Sequence, residues 1–223
     1  MNKLSDKYLI IDSSVVMNKI QDTLNKQGVN HSMLKHAGAG TKEYYEFRLN
    51  LGNFGLAGDT VTPRIIHINS YNGECANLTT AGFIRWVCSN GMVAGSDWFT
   101  QRIIHVQGQA AERKLKELEY QIAATLDYII YELPADVQRL ADTKLDTNKM
   151  IDIVGSLNIA KGNKDWAINK IVNIDYRREA DRANNLWTLW NIVNEGIGRK
   201  YKSESAFIQR NLKLIDDIEL LAA

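Results

Sequence analysis

SYNGECANLTTAGFIRWVCSNGMVAG, residues Ser70 to Gly95, contains two Asn-Gly pairs, Asn72-Gly73 and Asn90-Gly91, and both cysteines of the chain, Cys75 and Cys88. Asn and Gly accept positive φ at little steric cost, so each pair predicts a tight turn. The apolar runs around them place a compact sheet region in the middle of the chain. Between the two pairs, Thr79 to Cys88 reads in two ways. Its β-branched and aromatic content favours a strand, yet Phe83, Trp86 and Val87 also fit one face of a helix.

Upstream of this stretch the hydrophobic period is two. Tyr44 to Leu49 and Arg64 to Asn69 read as strands, with Pro63 placed where a strand begins. Asn50 to Asp59, with three glycines, is a turn. His31 to Gly40 reads as a loop ending in Gly38-Ala39-Gly40. Residues 13–27 form an amphipathic helix, with Ser13 or Ser14 as its cap and Val16, Ile20 and Leu24 on one face. Downstream, Arg102 to Gln107 is a further strand.

After Gly108 the period changes to that of a helix. Ala111, Leu115, Leu118, Ile122, Leu126 and Ile129 make one sustained apolar stripe, with Glu112 and Lys116 able to pair outside it. Pro134 starts a helix over 134–144. Others follow over 147–157, after Gly162-Asn163, from Ala183 to Ile197 before Gly198, and after Ser203 or Ser205. Strands followed by helices predict an α+β fold, not a doubly wound one. The expected architecture is a small antiparallel sheet of about four strands over residues 42–107, backed by a C-terminal helical region. It is read as one domain over 1–223, sheet-rich in 1–108 and helical in 109–223.

Composition limits the functions. Of 223 residues, 45% are hydrophobic and 24% charged, the balance of a soluble globular protein. Net charge is +1, divided as +2 over residues 1–110 and −1 over 111–223. Without a strongly basic domain, non-specific binding of duplex DNA is disfavoured as the main activity. Two cysteines and an N-terminus without an apolar signal core point to a reducing, cytoplasmic compartment. No apolar run is long enough to span a bilayer.

Catalytic chemistry is poorly represented. His67, Cys75, Cys88 and His105 have zinc-ligand side chains, but 7, 12 and 16 residues separate them, which matches no common zinc module. Cys88 follows Trp86-Val87 and reads as a packed thiol, not a nucleophile. Gly38-Ala39-Gly40-Thr41-Lys42 lacks the Gly-Lys-Ser/Thr order of a phosphate loop. The expectation is no metal, no cofactor and no catalytic residue, with an enzyme built on Cys88 or a metal ranked last. Arg177, Arg178 and Arg182 alternate with Glu179 and Asp181 and read as a solvated face. Trp187 and Trp190 read as core or interface.

Single-stranded nucleic acid is held by cations that track phosphates and aromatic faces that receive bases. Tyr44, Arg48, Arg64, Arg85, Trp86 and Arg102 supply both on the expected sheet, with Tyr45 and Trp98 nearby. Alternation puts Tyr44, Glu46 and Arg48 on one face of their strand, expected exposed. Tyr45, Phe47 and Leu49 occupy the other, expected buried. The competing reading is an ordinary sheet with solvated arginines and core aromatics.

Three segments carry a family resemblance: Ser70-Tyr71-Asn72-Gly73, the run Gly82-Phe83-Ile84-Arg85-Trp86-Val87-Cys88-Ser89-Asn90-Gly91-Met92, and Arg102-Ile103-Ile104-His105. With Asn185 to Glu195, they resemble the phage/plasmid-like proteins classed as a domain of unknown function. The resemblance spans roughly residues 60–200 and implies a mobile-element, bacteriophage origin. It transfers no catalytic residue. Phage single-strand annealing proteins also grip DNA with a small antiparallel sheet backed by helices, and the strand-then-helix order here is compatible with that fold. The expected function is single-stranded DNA binding, with strand annealing or recombination as its outcome and a homo-oligomer as its form. The alternative is a protein-interaction module, either an inhibitor of a host defence protein or a structural phage component.

Overall fold

The computed structural model describes residues 11–36, 42–52, 55–57, 59–72, 77–85, 90–93, 100–103, 109–198 and 214–223. The fold is α+β. Helix α1 (Ser13–Lys26) precedes strands β1 (His31–His36), β2 (Lys42–Leu49), β3 (Gly55–Leu56), β4 (Asp59–Ser70), β5 (Asn77–Arg85), β6 (Asn90–Val93) and β7 (Thr100–Ile103). Helices α2 (Gln109–Asp127), α3 (Leu133–Asp142), α4 (Thr147–Ser156), α5 (Lys161–Val172), α6 (Leu186–Gly198) and α7 (Leu214–Ala222) follow. The strand order is β1-β2-β4-β5-β6, with β3 added to β4 and β7 to β5.

The four strands expected from sequence are β2, β4, β5 and β7, and the ambiguous segment after Thr79 is the strand β5. Three local expectations are corrected. His31 to His36 is not loop but an antiparallel partner of β2, from His31 opposite Leu49 to His36 opposite Tyr44. Its residues show no clean alternation, because backbone pairing and not side-chain burial holds it. Asn90-Gly91 does not form a turn apex but opens β6. The α1 cap is Asp12, whose carboxylate accepts from the Ser14 N–H at 2.8 Å, not either serine. Gly73, Cys75, Trp86, Cys88, Trp98 and His105 lie outside the described residues, as do Ser203 and Ser205.

The chain divides into two compact units interleaved in sequence: Met1–Gly52, Thr62–Gly82 and Asp97–Ile130, then Asn53–Val61, Phe83–Ser96 and Tyr131–Ala223. In the first, α1 turns Val16, Ile20 and Leu24 inward, and α2 does the same with Leu118, Ile122 and Leu126. Lys19 and Lys26 of α1 both grip Glu119 of α2, Lys26 at 2.6 Å. In the second unit α6 is buried on nearly every side. Trp187 and Trp190 pack edge to face at 5.4 Å between centroids, and Phe83 lies 6.1 and 5.8 Å from them. The tryptophans are therefore core. An added Cβ at Gly196 would lie 2.7 Å from the Trp166 ring, so glycine allows α5 and α6 to approach closely.

Candidate nucleic-acid interface

Strand β2 carries the two sets of side chains that alternation assigns to opposite faces. Tyr44, Glu46 and Arg48 share a face with Arg64, which lies opposite Arg48 in register. This face is not open. Tyr44 is 6% exposed and Arg64 2%, and Glu46 is buried with them. The Arg48 Nε donates to Glu46 Oε1 at 2.8 Å, while Arg64 Nη1 stands 3.7 Å from Glu46 Oε2 and donates to the Tyr44 hydroxyl at 3.4 Å. Tyr44 and Arg64 are thus parts of a buried polar cluster and present no surface to a polynucleotide. The cause is two-sided burial of β2 and β4. Ile66 and Ile68 are buried beside Tyr44, while Ile65 and His67 are buried behind them. Alternation in a strand covered on both faces separates two interiors, not an interior from solvent. Arg48 remains partly accessible, its side chain 34% exposed.

The other face of β2 holds a second network. Tyr71 donates to Glu43 at 2.7 Å and accepts from the Ser13 N–H at 3.2 Å. Asn69 Nδ2 donates to the Ile11 carbonyl at 2.8 Å and to Ser13 Oγ at 3.1 Å. These contacts dock the N-terminus of α1 on the sheet. Burial alone would raise the Glu43 carboxyl, but hydrogen bonds from Tyr71, Ser13, Lys35 and Tyr45 outweigh it and hold it at about 2. The Lys35 ammonium reaches Glu43 at 3.2 Å and lies 5.2 Å over the Tyr45 ring. Tyr45 stacks on His67, and the His67 Nδ1 is 3.2 Å from Thr79 Oγ1. Complete burial pushes His67 down to about 4, against the pull of Glu43.

Two of the remaining expected residues lie on other strands. Arg102 sits on β7 opposite Leu78, in the first unit. Arg85 ends β5 and belongs to the second. Trp86 lies outside the described residues. The structure therefore brings Tyr44, Arg48 and Arg64 together. Among the described residues no group of three or more His, Cys, Asp or Glu is arranged to hold a metal ion. No described helix is long and apolar enough to cross a membrane.

Of the three arginines after α5 expected on a solvated face, Arg182 is exposed, whereas Arg177 and Arg178 hold the structure together. Arg177 is buried, and its guanidinium donates to the backbone carbonyls of Lys170 and Ile171 and, at 2.7 Å, to Asn184 Oδ1. Arg178 forks onto Glu195 at 2.8 and 3.0 Å, where Lys170 also reaches the carboxylate.

A surface that the sequence reading passed over lies on α2. Arg113, Lys116 and Tyr120, spaced i, i+3 and i+7, share one helical face. Tyr120 is 78% exposed, the Arg113 side chain 72%. Arg113 pairs with Glu117 at 3.4 Å, a wet contact of little strength. Lys116 makes no ion pair among the described residues, and the expected Glu112–Lys116 pair does not form. The available signal was a tyrosine out of phase with the apolar stripe through Leu118 and Ile122.

The model of the family described as Domain of unknown function (DUF932) matches residues 1–218. The chain belongs to this family. Among curated proteins, this DUF932 chain is 23% identical over 158 residues to UPF0380 protein YafZ of Escherichia coli (strain K12). The match covers 71% of this chain and 56% of YafZ, so it spans little more than half of that relative's length. No solved structure matches. The resemblance read from Ser70–Gly73, Gly82–Met92, Arg102–His105 and Asn185–Glu195 agrees with the DUF932 assignment.

Proposed function

We propose that this DUF932 protein binds single-stranded DNA, acts without a catalytic step in the host cytoplasm, and promotes strand annealing. The observation that supports this reading is the exposed face of α2, where Arg113 and Lys116 stand within two turns of the open ring of Tyr120. Cations at that spacing can contact successive phosphates while the tyrosine stacks on a base. Arg48 is a further contact, and Arg85, Trp86 and Arg102 remain candidates of the same site class. Anisotropy of a labelled oligonucleotide at low salt tests the proposal. Stacking is worth roughly 1–3 kcal/mol per base, so Tyr120→Ala should weaken binding by roughly 5- to 150-fold. Absence of binding, or equal binding by Tyr120→Ala and by Arg113→Ala with Lys116→Ala, refutes it.

One observation favours a second reading, a protein-interaction module. Val172, Ile174 and Tyr176 are large, exposed and close in sequence at the end of α5. Exposed apolar clusters mark interaction sites more often than scattered single residues do. Capture of one stoichiometric partner by the parent chain, lost in Ile174→Asp with Tyr176→Asp, would favour this reading over DNA binding.

A further inference from the structure

Three polar side chains of the first unit, His67, Asn69 and Asn77, are each 0% exposed. His67 and Asn69 stand two apart on β4 and share the face that carries Tyr45 and Glu43 of β2. Strand β5 flanks β4 on its other side. The chain between Ser70 and Asn77 is too short for a parallel crossover, so β4 and β5 run antiparallel. The His67 Nδ1, 3.2 Å from Thr79 Oγ1, puts His67 and Thr79 on one face. Two residues on from His67 and two back from Thr79, Asn69 and Asn77 come side by side. At ordinary strand dimensions the three Cα atoms then lie within about 8 Å of one another.

Each of the three has hydrogen-bonding capacity left over. Asn69 Nδ2 is committed to the Ile11 carbonyl and Ser13 Oγ, which fixes its Oδ1 as an acceptor. That oxygen has no hydrogen-bond partner among the described residues, and neither has His67 Nε2 nor either polar atom of the Asn77 amide. A molecule placed among them must donate to Asn69 Oδ1 and can accept from Asn77 Nδ2. At His67 Nε2 it meets a lone pair or an N–H, according to which ring nitrogen holds the proton. An anion would leave Asn69 Oδ1 unmet. A metal ion would leave Asn77 Nδ2 unmet, and the described residues offer no cluster suited to one. Water both donates and accepts, and it is small enough for a site without solvent exposure. Buried waters make about three hydrogen bonds, to groups that otherwise lack partners. We infer that His67, Asn69 and Asn77 form an internal water site. One ordered molecule donates to Asn69 Oδ1, accepts from Asn77 Nδ2 and bonds His67 Nε2. Because Asn69 also holds Ile11 and Ser13, this water joins β5 to the docked N-terminus of α1.

The test is magnetisation transfer from water in the isotope-labelled, DNA-free chain, which keeps it separate from the DNA-binding proposal. The reporter is the carbon-bound His67 Hδ2, which lies beside Nε2 and does not exchange with solvent. In the parent chain it should show water cross-peaks of opposite sign in NOE and ROE spectra, the mark of a water held in place and not passing by. Asn77→Leu removes one partner and fills the space with apolar atoms, so the cross-peaks should be lost while far-UV circular dichroism stays unchanged. Asn77→Ser keeps a donor and leaves room, so they should persist. The parent chain alone carries the test if the leucine variant misfolds, since a crystal of it should show one solvent molecule within hydrogen-bonding distance of His67 Nε2, Asn69 Oδ1 and Asn77 Nδ2. A parent chain without the His67 Hδ2 cross-peaks, cross-peaks undiminished in Asn77→Leu, or a crystal in which protein groups alone meet these three atoms would each overturn the inference.

Discussion

Glu46 is almost fully buried and sits between Arg48 and Arg64, with the Tyr44 hydroxyl completing the group. Replacing both charges of a buried pair can be neutral, but removing one partner is strongly destabilising, by about 3–5 kcal/mol. Glu46→Ala removes the carboxylate that both arginines share, and a loss of that size should appear in the urea midpoint. A loss below about 1 kcal/mol would show that the cluster contributes little. On the opposite face, His67 and Glu43 link stability to pH with the same sign. His67 titrates at about 4 when folded against 6.5 ordinarily, so the unfolded chain takes up the proton first. Stability from this residue is full above 6.5 and is lost as pH falls toward 4. Glu43 is held at about 2 against 4.5, so its contribution is present above 4.5 and is lost as pH falls toward 2. Urea midpoints should therefore decline below pH 6.5 and decline further below 4.5. His67→Gln should flatten the upper limb alone, and an unchanged upper limb would contradict the burial of this imidazole.

Elements differ in how far their sequence reveals them. Helix α2 is legible because its apolar residues recur in phase and one side stays wet. Strand β4 carried a second signal, the unbroken run Ile65-Ile66-His67-Ile68, which belongs to a strand buried on both faces. Weighed against the alternation of β2, that run would have placed Tyr44 and Arg64 inside. Strand β1 had no side-chain signal, since pairing with β2 holds it through the backbone. Helix α6 is legible as buried from Leu186 to Ile197 but not as strained by polarity. Asn194 is 1% exposed, and neither its Nδ2 nor its Oδ1 has a hydrogen-bond partner among the described residues. An unsatisfied buried amide costs about 1–3 kcal/mol, whereas an apolar side chain of similar shape does not incur that cost. Asn194→Leu should therefore raise the urea midpoint and the melting temperature. A fall in both would mean that the amide has a partner that the leucine cannot replace.

At the scale of the molecule, 27 basic residues nearly balance 26 acidic ones, so any hold on DNA must come from a local arrangement and not from the overall field. Much of the basic complement is already engaged. Lys19 and Lys26 are tied to Glu119, Lys35 to Glu43, Arg64 to Glu46, and Lys170 and Arg178 to Glu195. This internal pairing explains why residue type alone was a poor guide to the site. It hides which arginines answer a carboxylate of the same chain and which face solvent. Of the described cations considered for DNA, Arg113 and Lys116 are exposed, and Arg48, although its Nε is paired with Glu46, keeps its side chain 34% exposed. Each phosphate contact on a single strand contributes about −0.7 to the slope of log affinity against log salt. Three contacts give a slope of about −2, hence a loss of roughly 18-fold between 50 and 200 mM salt. Arg113→Ala and Lys116→Ala should each make the slope shallower by about 0.7, while Arg64→Lys should leave it unchanged because that guanidinium faces Glu46. A parent slope steeper than about −4 would assign most of the phosphate contacts elsewhere, with Arg85 and Arg102 the first positions to substitute.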